Sequence, residues 1–343
     1  MTRILIHGPA WVVDMVMAQT LFKLLKQQQA STQIDVIAPP FSLPLLARMP
    51  EVNQTFVLPI SHGQLKLNTR YQMAKKMRSL HYDQAIILPN SLKSALIPFL
   101  AGIKKRTGWR GEWRYGLLND WRVDKKLYPR MVEQFAALAY LAGARLPSLP
   151  YPQLSISPND LELALTHFNL TLDRPILALC PGAEFGSAKC WPPEYYAEIA
   201  RQKLAAGWQV WLFGSKRDQM QTKIIQTLTE NRCVDLAGHT HLAQAIDLLS
   251  VANLVISNDS GLMHIAAALQ RPLIVIYGST DPSFTPPLNK TAKIVWLNLS
   301  CSPCFERECP LQHLNCLKKL TPKFVTAAIS QLFPQEVIGG VCG

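Results

Sequence analysis

The chain has 343 residues, 48% hydrophobic and 17% charged, so it is long enough for two domains and apolar enough to bury a core in each. This composition excludes an intrinsically disordered protein. The formal net charge of +12 favours an anionic partner: a nucleic acid, a phosphorylated metabolite or an acidic membrane surface. The basic residues are interleaved with glycines and aromatics and no nucleic-acid-binding motif is present, so we expect no nucleic-acid partner.

The N-terminal apolar run, residues 3–7, is followed at once by Gly8 and Pro9. It lacks the long apolar core and cleavage site of a secretory signal peptide. No stretch approaches the roughly 18 apolar residues that a membrane-spanning helix needs. We therefore expect a soluble cytoplasmic protein that contacts a membrane only peripherally.

In the first half, apolar runs and helical periodicity alternate along the chain. Strands are predicted at 3–7, 34–38, 55–58 and 84–88, and helices at 14–28, 42–48, 67–79, 91–101 and 130–142. A stretch rich in proline and serine, 146–158, has little periodicity and is interpreted as an interdomain linker.

The second half repeats the alternation. Strands are predicted at 175–180, 208–213, 233–235, 253–257, 273–277 and 293–297, and helices at 193–206, 217–229, 242–250 and 260–270. Short apolar strands separated by helices indicate an α/β fold with parallel sheets and helices on both faces. Two such units, 1–158 and 159–343, are expected to form a cleft with ligands at the carboxyl ends of the strands.

The segment NDSGLMH at 258–264 connects an apolar strand to a helix, and is the most informative motif. The free N–H groups and positive dipole end of that helix favour a phosphate, with His264 in the first turn and Asp259 able to reach a hydroxyl. The alternative is an ordinary strand-to-helix turn in which Asp259 or Ser260 is the N-cap.

Two further loops in the second half suit a phosphorylated ligand. Residues 180–192 contain Gly182 and Gly186 for close backbone approach and the cation Lys189, but lack the Gly-Lys-Ser/Thr of a P-loop. Asp218 follows the next strand. A carboxylate there either bonds ribose hydroxyls or stabilises a helix N-terminus, and the sequence leaves both open.

In the first half, Asp14 follows the first strand and is either a helix N-cap or a general base at a strand end. The loop lacks G-x-G-x-x-G, which disfavours a dinucleotide cofactor. A later stretch, 106–116, alternates arginines with aromatics and glycines, which favours an anion-binding acceptor site over a solvated basic loop.

Four of the eight cysteines are clustered, at 301, 304, 309 and 316. The Cys-x2-Cys start is compatible with zinc, but the later spacings match no standard zinc ribbon. Reduced structural or redox-sensitive thiols are the alternative. The cluster supports no catalytic assignment.

Five segments together resemble the ADP-heptose:lipopolysaccharide heptosyltransferases of glycosyltransferase family 9, and the resemblance runs over nearly the whole chain. They are GPAW at 8–11 continuing to Asp14, LPNSLKSA at 88–95, RTGWRGE at 106–112 with YGLLND at 115–120, CPGAEFG at 180–186, and NDSGLMH at 258–264.

The resemblance implies a GT-B fold of two Rossmann-like domains facing across a cleft, with the last helix, 322–333, packing back on the first domain. The first domain is expected to bind the acceptor and the second ADP-heptose. The implied reaction moves L-glycero-D-manno-heptose, with inversion, to the first heptose of the lipid-linked Kdo2 core. The expected location is the inner face of the anionic inner membrane.

The resemblance also assigns residue roles. Asp14 is the general base, and Lys189 neutralises charge on the departing ADP without a metal or other cofactor. The implied donor-binding residues are Gly182, Glu184, Lys189, Asp218, Thr240, Asp259, Ser260, Gly261 and His264. The implied acceptor-binding residues are Asn90, Ser91, Lys93, Arg106, Trp109, Arg110 and Arg114.

Two residues depart from the family pattern. Val13 stands where glycine precedes the aspartate, and Cys190 where arginine follows the lysine. The first restricts the loop before Asp14, and the second removes a positive charge near the donor. Three alternatives stay open: transfer of the first heptose, another nucleotide-sugar donor on the same fold, and a non-catalytic nucleotide- or glycan-binding protein.

Overall fold

The computed structural model describes residues 2–60 and 63–334. The chain consists of two compact units, Met1–Ser155 and Ile156–Gly343. The division falls three residues before the boundary expected after residue 158. Pro158 begins a helix whose N-cap is Ser157, so the linker ends where that helix starts.

The first unit contains a six-stranded parallel sheet with strand order β3-β2-β1-β4-β5-β6. Its strands are β1 (Arg3–His7), β2 (Gln33–Ala38), β3 (Val52–Val57), β4 (Gln84–Ile87), β5 (Lys105–Trp109) and β6 (Asp120–Arg122). Its helices are α1 (Val12–Gln28), α2 (Leu43–Leu46), α3 (Leu67–Arg78), α4 (Leu92–Leu100) and α5 (Met131–Ala136).

The second unit contains another six-stranded parallel sheet, with order β12-β11-β10-β7-β8-β9. Its strands are β7 (Ile176–Cys180), β8 (Gln209–Leu212), β9 (Val234–Asp235), β10 (Leu254–Asn258), β11 (Leu273–Ile276) and β12 (Ala292–Val295). Its helices are α6 (Pro158–His167), α7 (Pro193–Ala205), α8 (Gln219–Leu228), α9 (Leu242–Leu249), α10 (Gly261–Ala268), α11 (Asn315–Lys318) and α12 (Pro322–Leu332).

Both sheets have the same doubly wound topology. The first strand of each unit, β1 or β7, is central and pairs on one side with the second strand and on the other with the fourth. The strand order therefore reverses between β1 and β4, and between β7 and β10. These are the two topological switch points at which open α/β sheets bind ligands. Both units are Rossmann-like, as predicted.

Strands β5 and β6 and helix α6 were not predicted. No strand was expected at 105–109 or 120–122 because KRTGW and DWR are not apolar runs. Strand β5 nonetheless pairs in parallel with β4, and β6 pairs with β5. Thr107, Gly108 and Trp109 of β5 are buried. A Cβ at Gly108 would lie 3.1 Å from the Ile87 carbonyl oxygen, so the residue's small size allows the close packing there.

The last helix contributes to the core of the second unit. Helix α12 contacts α7, β11 and β12. Val325, Ala328 and Ile329 on its apolar face belong to that unit's hydrophobic core. Burial of this face stabilises the helix against the second sheet.

Asn258, at the end of β10, holds the second switch point together. Its Nδ2 donates to the Pro181 carbonyl oxygen at 2.5 Å, and its Oδ1 accepts from the Trp191 backbone N–H at 3.1 Å and from the Tyr196 hydroxyl at 3.0 Å. Asn258, Trp191 and Tyr196 are completely buried. One side chain thus joins β10, the loop after β7 and the start of α7.

Replacing Asn258 with alanine is expected to lower the unfolding free energy by about 2–4 kcal/mol, because it leaves buried donors and an acceptor unpaired. Urea unfolding followed by circular dichroism measures the change. Asn159→Ala, at an exposed position in α6, is the matched control and is expected to change stability by less than about 0.5 kcal/mol. Equal unfolding midpoints for the two variants would contradict the role given to Asn258.

Candidate active site

In the first unit, the predicted residues lie at the β1/β4 switch point. The strands pair in register, with His7 opposite Ile87, so the loop after β1 and the loop after β4 leave the same edge of the sheet. The first loop leads to Asp14 and the second to Asn90 and Ser91. The topology therefore places the expected base and part of the expected acceptor site at one edge.

Asp14 is in the first turn of α1, whose N-cap is Trp11. The N-cap alternative for Asp14 is therefore wrong. Its partly exposed carboxylate accepts no hydrogen bond from the residues that the structure describes, and burial raises its pKa to about 6. Asp14 is ionised above that pH and has a free oxygen able to take a proton. The neighbouring Val13 is accommodated within the helical turn.

Positive charge underlies the same edge. Arg70 and Arg114 are buried and held mainly by backbone carbonyl oxygens, those of Lys93 at 3.0 Å and Pro89 at 2.7 Å respectively. Burial, Arg70 and Arg114 together lower the pKa of His7 to about 3, so His7 is neutral at physiological pH. Arg70 was not predicted, because a single arginine within a helix gives no sequence signal.

Three of the predicted acceptor residues have structural partners. Trp109 is buried and donates its indole N–H to the Gln134 carbonyl oxygen at 2.9 Å. Arg106 donates to the carbonyl oxygens of Leu117 and Ile103, both at 2.6 Å, and Arg114 also donates to the Trp109 carbonyl oxygen. These contacts hold the loop in shape. The guanidinium groups of Arg106 and Arg114 are bonded to backbone carbonyl oxygens.

The remaining predicted acceptor residues are accessible. Arg110 and Asn90 are exposed, and Ser91 and Lys93 are partly exposed. Arg110 lines a pocket of about 270 Å³ together with three aromatic side chains, Trp113, Tyr115 and Trp121. The first two belong to the predicted stretch 106–116, whereas sequence reasoning did not single out Trp121. Their rings form a chain of edge-to-face contacts, with centroids 6.2 Å and 5.1 Å apart. We call this set the aromatic pocket.

The backbone presents part of the aromatic pocket in a strained conformation. Glu112 and Trp113 both have positive φ angles, 34° and 49°, in the left-handed region that non-glycine residues rarely adopt. Trp113 is 84% exposed. A large apolar ring held in solvent by a strained turn is typical of a contact surface rather than of a core.

In the second unit, the loops after five neighbouring strands carry the polar groups. Gly182 follows β7, Asp218 follows β8, Thr240 follows β9, Asp259 follows β10 and Thr280 follows β11. All strands are parallel, so these residues lie at the carboxyl edge of one sheet. The structure thus brings the predicted donor residues to one edge and adds Thr280, which no motif had indicated.

Lys189 and Asp259 form the central ion pair. The Lys189 Nζ lies 2.6 Å from the Asp259 Oδ2, which also accepts a hydrogen bond from the Thr280 hydroxyl at 2.7 Å. The lysine side chain is 14% exposed and that of Asp259 4%. Asp259 therefore orients the ammonium group at the solvent boundary.

Helix α10 begins beside this pair. Its N-cap is Ser260, whose Oγ accepts a hydrogen bond from the Met263 backbone N–H at 3.4 Å. Ser260 was one of the two N-cap residues considered from the sequence. Gly261 is the first helical residue. His264 is buried with its Nε2 4.0 Å from the Asp259 Oδ1, and burial lowers its pKa to about 4 against the opposing effect of Asp259. His264 is therefore neutral at physiological pH.

Two buried polar atoms near α10 have no partner among the described residues: the His264 Nε2 and the Ser279 Oγ. Buried polar atoms in native proteins are normally paired, so these two atoms are available to bond with a bound ligand. Ser279 immediately precedes Thr280, and His264 follows Asp259 by five residues. This donor set is suited to phosphate oxygens.

Asp218 is in contact with the loop after β7. Its Oδ2 accepts from the Ser215 backbone N–H at 2.7 Å and hydroxyl at 2.8 Å, so the carboxylate stabilises the turn that begins α8. A Cβ at Gly182 would overlap this carboxylate, and one at Gly214 would lie 2.8 Å from the Asp218 Cβ. The Oδ2 of Asp218 thus stabilises a helix N-terminus, which was one of the two roles that the sequence left open for this residue.

Glu184 and Thr240 are peripheral. Glu184 is exposed and pairs with the exposed Arg217 at 2.5 Å, an arrangement worth little in stability. The Thr240 hydroxyl donates a hydrogen bond to the Leu236 carbonyl oxygen at 3.2 Å. The lone pairs of the Thr240 hydroxyl oxygen remain available to accept a hydrogen bond. Neither residue contributes to the Lys189–Asp259 pair.

The clustered cysteines are free thiols. Burial raises the pKa of Cys316, and the other three thiols add to the effect, so the four groups influence one another. No group of three histidine, cysteine or acidic side chains within 2–60 and 63–334 is arranged to hold a metal ion. Burial likewise raises the pKa of the Cys190 thiol, to about 11.

Comparisons with known proteins agree with this architecture. The sequence profile of glycosyltransferase family 9 (heptosyltransferase) matches residues 70–315. Lipopolysaccharide heptosyltransferase 2 of Salmonella typhimurium is 44% identical over 97% of this chain and 99% of its own length. The protein of the same name from Escherichia coli K12 is 45% identical with the same coverage.

A solved structure of Escherichia coli ADP-heptose lipopolysaccharide heptosyltransferase II has a TM-score of 0.86 and 42% identity, covering 98% of this chain and 99% of that one. The chain therefore belongs to glycosyltransferase family 9 and has the GT-B fold. It is a glycosyltransferase, which removes the alternative of a non-catalytic binding protein.

Within the described part of the chain, no helix combines the length and apolar character needed to cross a bilayer.

The raised pKa of Asp14 predicts a stability cost at neutral pH. Between pH of about 4 and about 6, the Asp14 carboxyl is protonated in the folded state but ionised in the unfolded state. The unfolding free energy therefore falls as pH rises through that window. We expect Asp14→Asn to raise the unfolding free energy at pH 7.5 by about 1–2 kcal/mol and to have little effect at pH 4.

Denaturant unfolding at the two pH values measures this difference. Asp160→Asn is the matched control, since Asp160 is an exposed aspartate in the first turn of α6. A variant at Asp14 that is less stable than the wild type at pH 7.5 would contradict the assigned pKa.

Proposed function

We propose that this family 9 enzyme transfers L-glycero-D-manno-heptose from ADP-heptose to the first heptose of the lipopolysaccharide inner core, heptosyl-Kdo2-lipid A, with inversion at the anomeric carbon. The observation that carries the proposal is the near full-length likeness to lipopolysaccharide heptosyltransferase 2 proteins. The arrangement of charged groups at the two switch points supports it.

In this proposal the donor's diphosphate binds at the β7/β10 switch point. The N-terminus of α10 offers free backbone N–H groups and a positive dipole end, and Ser279 and His264 offer unpaired polar atoms. Lys189 is already oriented by Asp259 and supplies the positive charge. As the bond between the anomeric carbon and the phosphate oxygen breaks, the ammonium group stabilises the negative charge on ADP.

Ribose binding is assigned to Asp218, with Gly182 alongside it. The Oδ1 of Asp218 accepts no hydrogen bond from the residues described, whereas Oδ2 is used by Ser215. Gly182 allows the carboxylate to lie against the backbone. We assign Glu184 and Thr240 to the outer part of the same donor site.

The acceptor is assigned to the first unit. Asp14 removes the proton from the acceptor hydroxyl as that oxygen forms its bond to the anomeric carbon, and the bond to ADP breaks on the opposite face. A carboxylate with a pKa of about 6 is ionised at neutral pH and is a stronger base than an ordinary aspartate. Arg110, Lys93, Asn90 and Ser91 are assigned to anionic and hydroxyl groups of the acceptor.

We infer that binding and cleavage of the donor need no divalent metal or other cofactor, since Lys189 and the α10 dipole supply positive charge at the leaving group.

We also infer peripheral association with the anionic inner face of the inner membrane, where a lipid-linked acceptor resides. The net charge of +12 supports that association. Binding to anionic but not neutral liposomes, lost as salt rises, tests it.

The reaction is tested by ADP release from ADP-heptose with two acceptors, Kdo2-lipid A with and without its first heptose. We expect release only with the heptosylated acceptor, and no loss of rate in EDTA. Release with unheptosylated Kdo2-lipid A would support first-heptose transfer instead. Release with a different nucleotide sugar, and not with ADP-heptose, would support another donor.

Replacement of Asp14 by asparagine is expected to lower kcat by about 100- to 10,000-fold, because the general base is lost, while leaving ADP affinity within about twofold. In the wild type, kcat/KM is expected to fall as pH drops through about 6, since protonated Asp14 cannot accept the proton. Initial rates from pH 5 to 8 measure both effects, with Asp160→Asn as control. A variant with wild-type turnover would remove Asp14 from the mechanism.

The aromatic pocket is expected to contribute to acceptor affinity. Trp113→Ala removes an exposed ring, so KM for the acceptor is expected to rise about 5- to 20-fold with little change in KM for ADP-heptose. Leu141→Ala is the control, because Leu141 is 79% exposed on the same unit but away from this pocket's lining. Equal acceptor KM values for the two variants would exclude the pocket from the acceptor site.

A further inference from the structure

Arg307 lies in the cysteine-rich segment that follows β12, and this segment packs on the Lys189 loop. The Arg307 carbonyl oxygen accepts a hydrogen bond from the Ala188 backbone N–H at 3.0 Å. Gly186, with a φ angle of 153°, has the Arg307 carbonyl so close that a Cβ would overlap it. The backbone of Arg307 is therefore fixed against the loop that carries Lys189.

The two cations share one aromatic ring. The Lys189 Nζ is 4.9 Å from the centroid of the Phe185 ring, and the Arg307 Cζ is 5.6 Å from the same centroid. Cation–π contacts of this kind hold a charged group at a defined place without neutralising it. The Phe185 ring thus holds both the Arg307 guanidinium and the ammonium group of the central ion pair.

The charges of the two residues are balanced differently. Lys189 is neutralised by Asp259, whereas within residues 2–60 and 63–334 no carboxylate lies within ion-pairing distance of Arg307, which is exposed. Two neighbouring cations repel each other unless an anion lies between them. A diphosphate carries more negative charge than one lysine offsets, and guanidinium groups bind phosphate oxygens in pairs.

We propose that Arg307 is a second cationic ligand for the diphosphate of the nucleotide-sugar donor, acting with Lys189. The proposal rests on the donor site proposed above. It gives the cysteine-rich segment a function: the segment carries a donor-binding cation to the carboxyl edge of the second sheet. It also explains how the donor site obtains a second positive charge although the residue after Lys189 is the uncharged Cys190.

The test is calorimetric binding of ADP and of adenosine to the full-length chain and its variants at 50 and 300 mM salt. For Arg307→Gln we expect the Kd for ADP to rise about 5- to 30-fold at low salt, with a shallower salt dependence and an unchanged Kd for adenosine. Arg307→Lys, which keeps the charge, is expected to lie between Arg307→Gln and the wild type. Arg174→Gln is the control, since Arg174 is exposed and precedes β7 at the opposite edge of the sheet.

The outcomes separate the two proposals. If the wild type does not bind ADP, the donor site and the role of Arg307 both fail. If the wild type binds ADP and Arg307→Gln binds it equally well, only the role of Arg307 fails. Equal loss of ADP and adenosine binding in both Arg307 variants, with a lowered Tm, would assign Arg307 a purely structural role and overturn the inference.

Discussion

The buried amide of Asn258 is the constraint on which the second unit's site depends. By donating to the loop after β7 and accepting from the start of α7, it fixes the separation of β7 and β10 at the point where the strand order reverses. Asp259 follows directly in sequence, so its carboxylate is placed by the same constraint. Asp259 then positions Lys189, and Lys189 shares the Phe185 ring with Arg307. One polar side chain in an apolar core, hydrogen-bonded through both its amide nitrogen and its amide oxygen, thus determines where the positive charge is presented.

Burial sets the charge states of the titratable groups at both switch points. Asp14 loses solvation without gaining a hydrogen bond, so its pKa rises and it becomes a better base at some expense of stability. Burial holds His7 and His264 neutral, so neither competes as a cation with the arginines or with Lys189. Asp259 is buried yet stays beside an ammonium group, and this pairing compensates its loss of solvation.

The sequence was sufficient for the fold class and for most strand ends, because strands buried on both faces are continuous apolar runs, as in ILALC of β7. It failed for β5 and β6, the last two strands of the first sheet, where charged residues occur in the strands and tertiary context overrides local propensity. Asp14 and Lys189 were identifiable because each follows an apolar strand. Thr280, Ser279 and Arg307 were not, since their relation to Asp259 or Lys189 exists only in the folded chain. The composition of 106–116 also could not reveal that the side chains of Trp109 and Arg114 bond to backbone carbonyl oxygens of neighbouring segments.

A crystal structure of the chain with ADP tests the central claim most directly, that the β7/β10 switch point is the donor's phosphate site. The account predicts phosphate oxygens at the N-terminus of α10, within hydrogen-bond distance of the Lys189 ammonium group, with Ser279 or His264 newly paired. ADP bound elsewhere, with the Lys189–Asp259 pair unchanged and both buried polar atoms still unpaired, would contradict it.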